Sequence, residues 1–240
     1  MTQEKAPTFN TQPTRYTRVS WLYALRGREQ PMQELTELLK NNPYPGRGIV
    51  VGNGRVYYWI MGRSVNSRNR VFVECEDGIR TEAYDPALLA DPSLIIYHPV
   101  RKVDGALIVT NGDQTDTIRD LGWHEGCMSR EYEPDAPNFT PRISAYLRED
   151  GTFEISILKH NDGTCQRNFF AYENCPEGVG YFISTYQGDG DPLPTFAGEP
   201  IKVVMPEADQ VWQALNADNK VSLYANVDGQ VTIWNKHLGD

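Results

Sequence analysis

The chain has 240 residues, with 23 Lys and Arg against 32 Asp and Glu, for a formal net charge of −9. Its 40% apolar and 11% aromatic content excludes a disordered chain and is ample for a real core. No run approaches the ~20 apolar residues of a membrane span, the polar start lacks a signal-like apolar region, and an isoelectric point near 5.0 disfavours a duplex-binding footprint. A cytoplasmic protein with neither membrane nor nucleic-acid partners is therefore expected.

Residues 1–18, with Pro7 and Pro13, read as a flexible arm, and residues 19–240 as a single domain. Trp21, Leu22, Tyr23 and Leu25 form an apolar cluster suited to docking on the body or on another subunit, which leaves a homo-oligomer open. Pro31 opens a helical pattern in Met32, Leu35, Leu38 and Leu39, and Asn41, Asn42 and Pro43 stop it. Strand signals then dominate. Residues 49–51 and 56–60 flank Gly52-Asn-Gly54, a hairpin signal, and 71–73, 94–97 and 107–110 follow. Residues 142–147 and 153–158 flank Asp150-Gly151, and 169–172 and 181–186 continue the series. A helix over 206–217, with Val211, Trp212 and Leu215 on one face, precedes strands at 221–225 and 231–234 around Asp228-Gly229.

Hairpin-linked strands with few helices indicate an α+β fold of mostly antiparallel sheet rather than a doubly wound parallel one. No glycine fingerprint for a dinucleotide and no phosphate-binding P-loop is present. Cys75, Cys127, Cys165 and Cys175 form no Cys-x-x-Cys pair and read as free thiols. His124-x-x-Cys127 supplies two ligands where a structural zinc site needs four, so no metal is expected.

Charge is distributed unevenly. Between Glu37 and Glu74 there is no acidic residue, yet the interval holds Lys40, Arg47, Arg55, Arg63, Arg68 and Arg70. Arginine grips phosphate through paired donors, so the interval reads either as a local anion site or as a solvated loop paired with acids elsewhere. Two further polar clusters follow. In Thr110-Asn-Gly-Asp-Gln-Thr-Asp116, either Thr115 or Asp116 is placed to cap a helical turn at 118–121. The second, Glu131 to Arg142, is too rich in Pro for a helix and too charged for core.

The runs Asn41-Asn-Pro-Tyr-Pro-Gly-Arg47, Gly62-Arg-Ser with Arg68-Asn-Arg70, Tyr97-His-Pro-Val-Arg101, Thr110 to Asp116, and Tyr132-Glu-Pro-Asp with Asn138-Phe-Thr-Pro-Arg142 together resemble the archaeal-type IMP cyclohydrolase family. Order and spacing agree over roughly residues 41–205, and collinear motifs of this number are not expected by chance. The resemblance implies a four-layer α-β-β-α sandwich similar to the N-terminal-nucleophile hydrolases, without their processed nucleophile. It implies closure of 5-formamidoimidazole-4-carboxamide ribotide to inosine monophosphate with loss of water. About forty residues precede Gly46-Arg47 here, where the family pattern begins.

Ring closure needs no covalent enzyme intermediate. It needs an anchored phosphate, a folded substrate, and proton donors and acceptors around the formyl oxygen. The resemblance implies Tyr97 and Glu133 as the proton-handling pair and Arg63 as the group that polarises or orients the formyl. It puts Arg70 on the phosphate with Arg47 second, and Asn69, Arg101, Asn111, Asn138, Thr140 and Arg142 in the substrate pocket. A small nucleotide substrate and no cofactor are expected. Three other readings stay open. One is an amidase using Thr2 after loss of Met1, and one is a nucleotide-binding protein without turnover. The last is a single-strand binder stacking bases on Tyr57, Tyr58 and Trp59.

Overall fold

The computed structural model describes residues 32–173 and 175–239. The arm at 1–18, the Trp21 to Leu25 cluster and Thr2 lie outside the described residues. The helix begins later than its apolar spacing suggests. Gln33–Glu34 form a short strand, β1, which runs parallel to Val203 and Val204, and α1 is confined to Leu35–Lys40. Leu35 and Leu39 are its buried face, while Met32 stays exposed.

Three hairpins follow their turn residues. β2 (Gly48–Gly52) and β3 (Arg55–Met61) join through Asn53 and Gly54, both at positive φ, the geometry that an Asn-Gly turn supplies. After α2 (Val65–Arg68) come β4 (Val71–Cys75), β5 (Gly78–Glu82), β6 (Val100–Val103) and β7 (Ala106–Thr110). Then α3 (Gln114–Leu121) and α4 (Trp123–Met128) lead into β8 (Arg142–Arg148), β9 (Phe153–Asn161) and β10 (Thr164–Tyr172). β11 (Val179–Ser184), β12 (Ile201–Val204), α5 (Ala208–Ala214), β13 (Lys220–Val227) and β14 (Gln230–Asn235) complete the chain.

Several sequence expectations change. Residues 94–97 are not a strand, because the amides of Ile95 and Ile96 both bond back to the Pro92 carbonyl and close a turn. Strands β5, β6 and β12 carry charged residues within short runs and gave no clear alternation. The helix expected at 206–217 is shortened at both ends. The α3 helix starts at Gln114 with Asp113 at its N-cap position, so neither Thr115 nor Asp116 caps it. Asp162-Gly163, at positive φ, makes the β9–β10 hairpin that the sequence reading passed over.

The strands form two seven-stranded sheets, ordered β1-β12-β11-β2-β3-β13-β14 and β10-β9-β8-β7-β6-β5-β4. All ladders are antiparallel except β1 with β12. Alternation along the strands decides the layers. Ile49, Val51, Val56 and Ile60 of the first sheet pack against Val100, Val109, Ile143 and Ile155 of the second. The other face of the first sheet, with Val50, Trp59 and Leu223, receives α1 and α5 through Leu35, Leu39, Val211 and Trp212. The other face of the second sheet, with Ile108 and Leu158, receives α3 and α4 through Ile118, Trp123 and Cys127. The result is four layers in the order α-β-β-α. Each of these fully buried aliphatic side chains contributes about 1.5–3 kcal/mol relative to exposure.

Gly126 lets α4 lie close against α3, since a Cβ there would stand 2.6 Å from the Cα of Ile118. Asn235 ties the sheet edges together. Its Oδ1 accepts from the Phe72 amide at 2.7 Å and its Nδ2 donates to the Phe72 carbonyl at 3.0 Å. No helix among the described residues is long and apolar enough to cross a membrane. The four cysteines are free thiols.

Candidate functional site

The two ends of the sandwich are built differently. At one end, tight hairpins close β2–β3, β6–β7, β8–β9 and β13–β14 around a cleft of about 530 Å³. At the other, the long connections 62–70, 83–99, 111–141 and 185–200 converge, and most of the resemblance motifs lie there.

Arg47 precedes β2 on the alternation that turns Ile49 and Val51 toward the second sheet. Gly46 makes its approach possible. It holds φ +72°, and a Cβ would meet Thr185 Oγ1 at 2.3 Å and the Tyr186 ring at 2.6 Å. The Arg47 Nη2 donates to both carboxylate oxygens of Glu133 at 3.0 Å. Both are deeply buried, with side-chain exposures of 13% and 4%. Burial pushes the Glu133 carboxyl above the ordinary carboxylate range, and the guanidiniums of Arg47 and Arg142 offset only part of that push. Burial opposes the Arg47 charge as well, but Glu133 and the phenols of Tyr186, Tyr97 and Tyr58 outweigh it. Among the described residues, Arg47 Nε has no hydrogen-bond partner.

Glu133 is held by its own loop and by the turn after β7. Its amide donates to the Thr140 carbonyl at 2.8 Å. Asn111 Nδ2 donates to Glu133 Oε1 at 3.4 Å and to the Pro141 carbonyl at 2.9 Å, while Asn111 Oδ1 accepts from Gln114 and from the Ile143 amide. Arg142 donates to Gln114 Oε1 at 2.7 Å and to the Glu131 carbonyl at 2.8 Å, and pairs with Asp113. Gly112 leaves room for this, because a Cβ would lie 2.6 Å from Arg142 Nη1. Thr140 Oγ1 bonds Asp135 and shares a hydrogen bond with the Tyr186 hydroxyl at 2.5 Å. Burial pushes the Tyr186 phenol up to about 12. Phe139, between Asn138 and Thr140, is held at φ +44° while its ring stacks on His160. A non-glycine residue there stores backbone strain, a feature common at functional loops.

The Tyr97 hydroxyl meets that of Tyr58, from β3, at 2.8 Å. Tyr97 is 6% exposed and Tyr58 fully buried. Arg70 is also buried. It donates from Nε to the Ser67 carbonyl at 2.8 Å and from Nη2 to Met61 at 3.5 Å, and no carboxylate among the described residues pairs with it. The remaining residues singled out by sequence fall elsewhere. Arg63 stands half-exposed at the rim, paired with Asp189 and 5.0 Å from the centre of the Tyr44 ring, which stacks on Tyr186. The Asn69 amide is consumed by the Asp85 backbone, and Asn138 accepts from the Leu193 amide. Arg101 is on the opposite face of the second sheet from Val100. There it pairs with Asp77 and with Asp116 of α3, and it does not join the cluster.

The structure thus gathers Arg47, Tyr97, Asn111, Glu133, Thr140 and Arg142, with Arg70 behind Tyr58 and Arg63 at the rim. It adds Tyr58, Gln114, Thr185 and Tyr186. Tyr58 was legible in part, since period-2 alternation puts it on one face with Val56 and Ile60. The three aromatics read as a base-stacking platform, Tyr57, Tyr58 and Trp59, are all fully buried and offer no exposed ring. A second cleft, of about 670 Å³ beside α1, is lined by Glu34 and Glu37 and, among the described residues, by no Lys, Arg or His, which does not suit an anion. No group of three or more His, Cys, Asp and Glu among the described residues could hold a metal ion.

A buried arginine–carboxylate pair flanked by phenols lies at the open end of the four-layer sandwich. Residues 44–230 match the family described as IMP cyclohydrolase-like protein, and the chain belongs to that family. It is 29% identical over 161 residues to a protein named IMP cyclohydrolase from Methanococcus aeolicus, covering 60% of this chain and 74% of that one.

Proposed function

We propose that this chain is an IMP cyclohydrolase. It closes 5-formamidoimidazole-4-carboxamide ribotide to inosine monophosphate with loss of water, the last step of de novo purine synthesis. The observation that carries the reading is the buried Arg47–Glu133 pair beside Tyr97, in a chain of this family. The name of the archaeal relative supports the same reaction.

The carboxamide nitrogen attacks the formyl carbon of the same molecule. Tyr97 gives its proton to the formyl oxygen as negative charge grows on it, and Glu133 takes the proton from the attacking nitrogen. A carboxyl raised by burial is suited to both halves of the cycle. It accepts that proton as a carboxylate and returns it to the departing hydroxyl when the carbinolamine dehydrates, while the Tyr97 oxygen recovers a proton from the former formamide nitrogen. Arg47 keeps Glu133 in place through two oxygens, and Asn111 fixes its rotamer. Arg142 and Arg70 leave the pocket with more buried guanidinium than carboxylate, which favours the ribotide phosphate. Arg63 enters at the rim, where release from Asp189 frees it for the same anion. The protein acts in the cytoplasm without a cofactor, on a sandwich akin to the N-terminal-nucleophile hydrolases that lacks their processed nucleophile.

The direct test supplies purified protein with the formylated ribotide and follows inosine monophosphate. Turnover that survives exhaustive chelation is the expected result. No turnover with an intact fold overturns the reading.

A further inference from the structure

Tyr58 is fully buried, and its hydroxyl has one hydrogen-bond partner among the described residues, the Tyr97 hydroxyl. A buried hydroxyl proton left without an acceptor is costly, and the cost is greater for the fully buried Tyr58, which favours Tyr58 as the donor. Of the two directions this contact allows, that is the one in which Tyr58 O–H donates and Tyr97 oxygen accepts. The Tyr97 proton is then turned away from Tyr58, and Tyr97 itself, slightly exposed, is the member of the pair that can reach a ligand. Burial holds Tyr58 well above the ordinary phenol range and so keeps its proton on, while its ring stacks on Phe72 at 5.7 Å and anchors it.

We infer that Tyr58 is a positioning residue of the ring-closing reaction: its buried hydroxyl donates to Tyr97 and thereby aims the Tyr97 O–H at the reacting formyl oxygen. The inference rests on the proposed cyclohydrolase reading. It adds a residue from within strand β3 to a site otherwise read from the motif loops and strand ends. No bond forms or breaks at Tyr58.

The test compares wild type, Tyr58→Phe, Tyr97→Phe and the double variant, with the tyrosine Cζ carbons isotope-labelled for NMR. Phenylalanine keeps the ring on Phe72, so the melting temperature should stay close to wild type. Losing one hydrogen bond that orients the donor should lower kcat on the order of tenfold and leave KM within about twofold. In the Tyr97→Phe background the same change should alter kcat less than about twofold, because the two hydroxyls act as a unit. The Tyr97 Cζ resonance, identified by its loss in Tyr97→Phe, should move in Tyr58→Phe. An unmoved resonance, or an equal loss of kcat in both backgrounds, overturns the inference. A wild-type chain with coupled resonances but no turnover overturns the cyclohydrolase reading, and the positioning role with it.

Discussion

Arginine meets carboxylate on both sides of the second sheet, in two very different settings. On the outer face, Arg101 lies between Asp77 and Asp116, with Arg119 also on Asp116 and on Asp120. Those carboxylates are 36% to 60% exposed, so water screens the pairs. At the inner, open end, Arg47 and Arg142 meet a single buried carboxylate, Glu133, with half-exposed Asp113 at the margin, while Arg70 is buried without a carboxylate partner among the described residues. The outer group sets three exposed carboxylates against two arginines and contributes modestly to holding α3 and the β4–β5 turn. The inner group is unbalanced in a low-dielectric setting, which suits it to an anionic ligand rather than to stability.

Glu133→Gln should break the inner group most severely in function. It keeps size and most hydrogen bonding but removes the proton carrier, so kcat should fall roughly 10²–10⁴-fold, and Tyr97→Phe should fall in the same range. The pH profile sharpens the point. Because burial raises Glu133, the carboxylate needed as base forms only above the usual carboxylate range, and kcat should climb through that raised value. The Gln variant should lose this limb. The stability linkage has the opposite sense: a raised carboxyl contributes stability fully below its unfolded pKa and loses it as pH rises through the folded value.

Arg47→Met leaves Glu133 buried without its main partner and should cost about 3–5 kcal/mol in chemical denaturation. Any activity that remains should show its acid limb at still higher pH, because Arg47 pulls Glu133 downward. Arg70→Ala should cost about 1.5–3 kcal/mol of substrate binding, read mostly as KM. An unchanged KM would assign Arg70 to holding the Ser67 and Met61 carbonyls alone. Smallest of all, Arg101→Gln on the outer face should cost about 1 kcal/mol or less in stability, diminishing with salt, and leave kcat near wild type. A large kcat loss there would erase the distinction between the two groups.

The hairpins at Asn53-Gly54 and Asp228-Gly229 were legible because left-handed backbone at tight turns is a local demand that Asn, Asp and Gly meet. The antiparallel character and the alternation of Ile49, Val51, Val56 and Ile60 followed from the same short-range rules. The candidate site residues came instead from the motifs that resemble the family, which no turn or alternation rule supplies. Local pattern said less about short charged strands such as Val100–Val103, where Arg101 and Lys102 mask the alternation.

What only tertiary structure decided was who meets whom. Tyr97 and Arg101 share one motif, yet a turn ends at Tyr97 and a strand begins at Val100, so their side chains serve opposite layers. Arg47 and Glu133 are 86 residues apart, and Tyr58 and Tyr97 are 39, so no local periodicity connects them. By itself, the sequence determined turn chemistry, strand alternation and the inventory of arginines, tyrosines and carboxylates. Packing of the two sheets determined which of those groups lost water together, and loss of water is what raises Glu133.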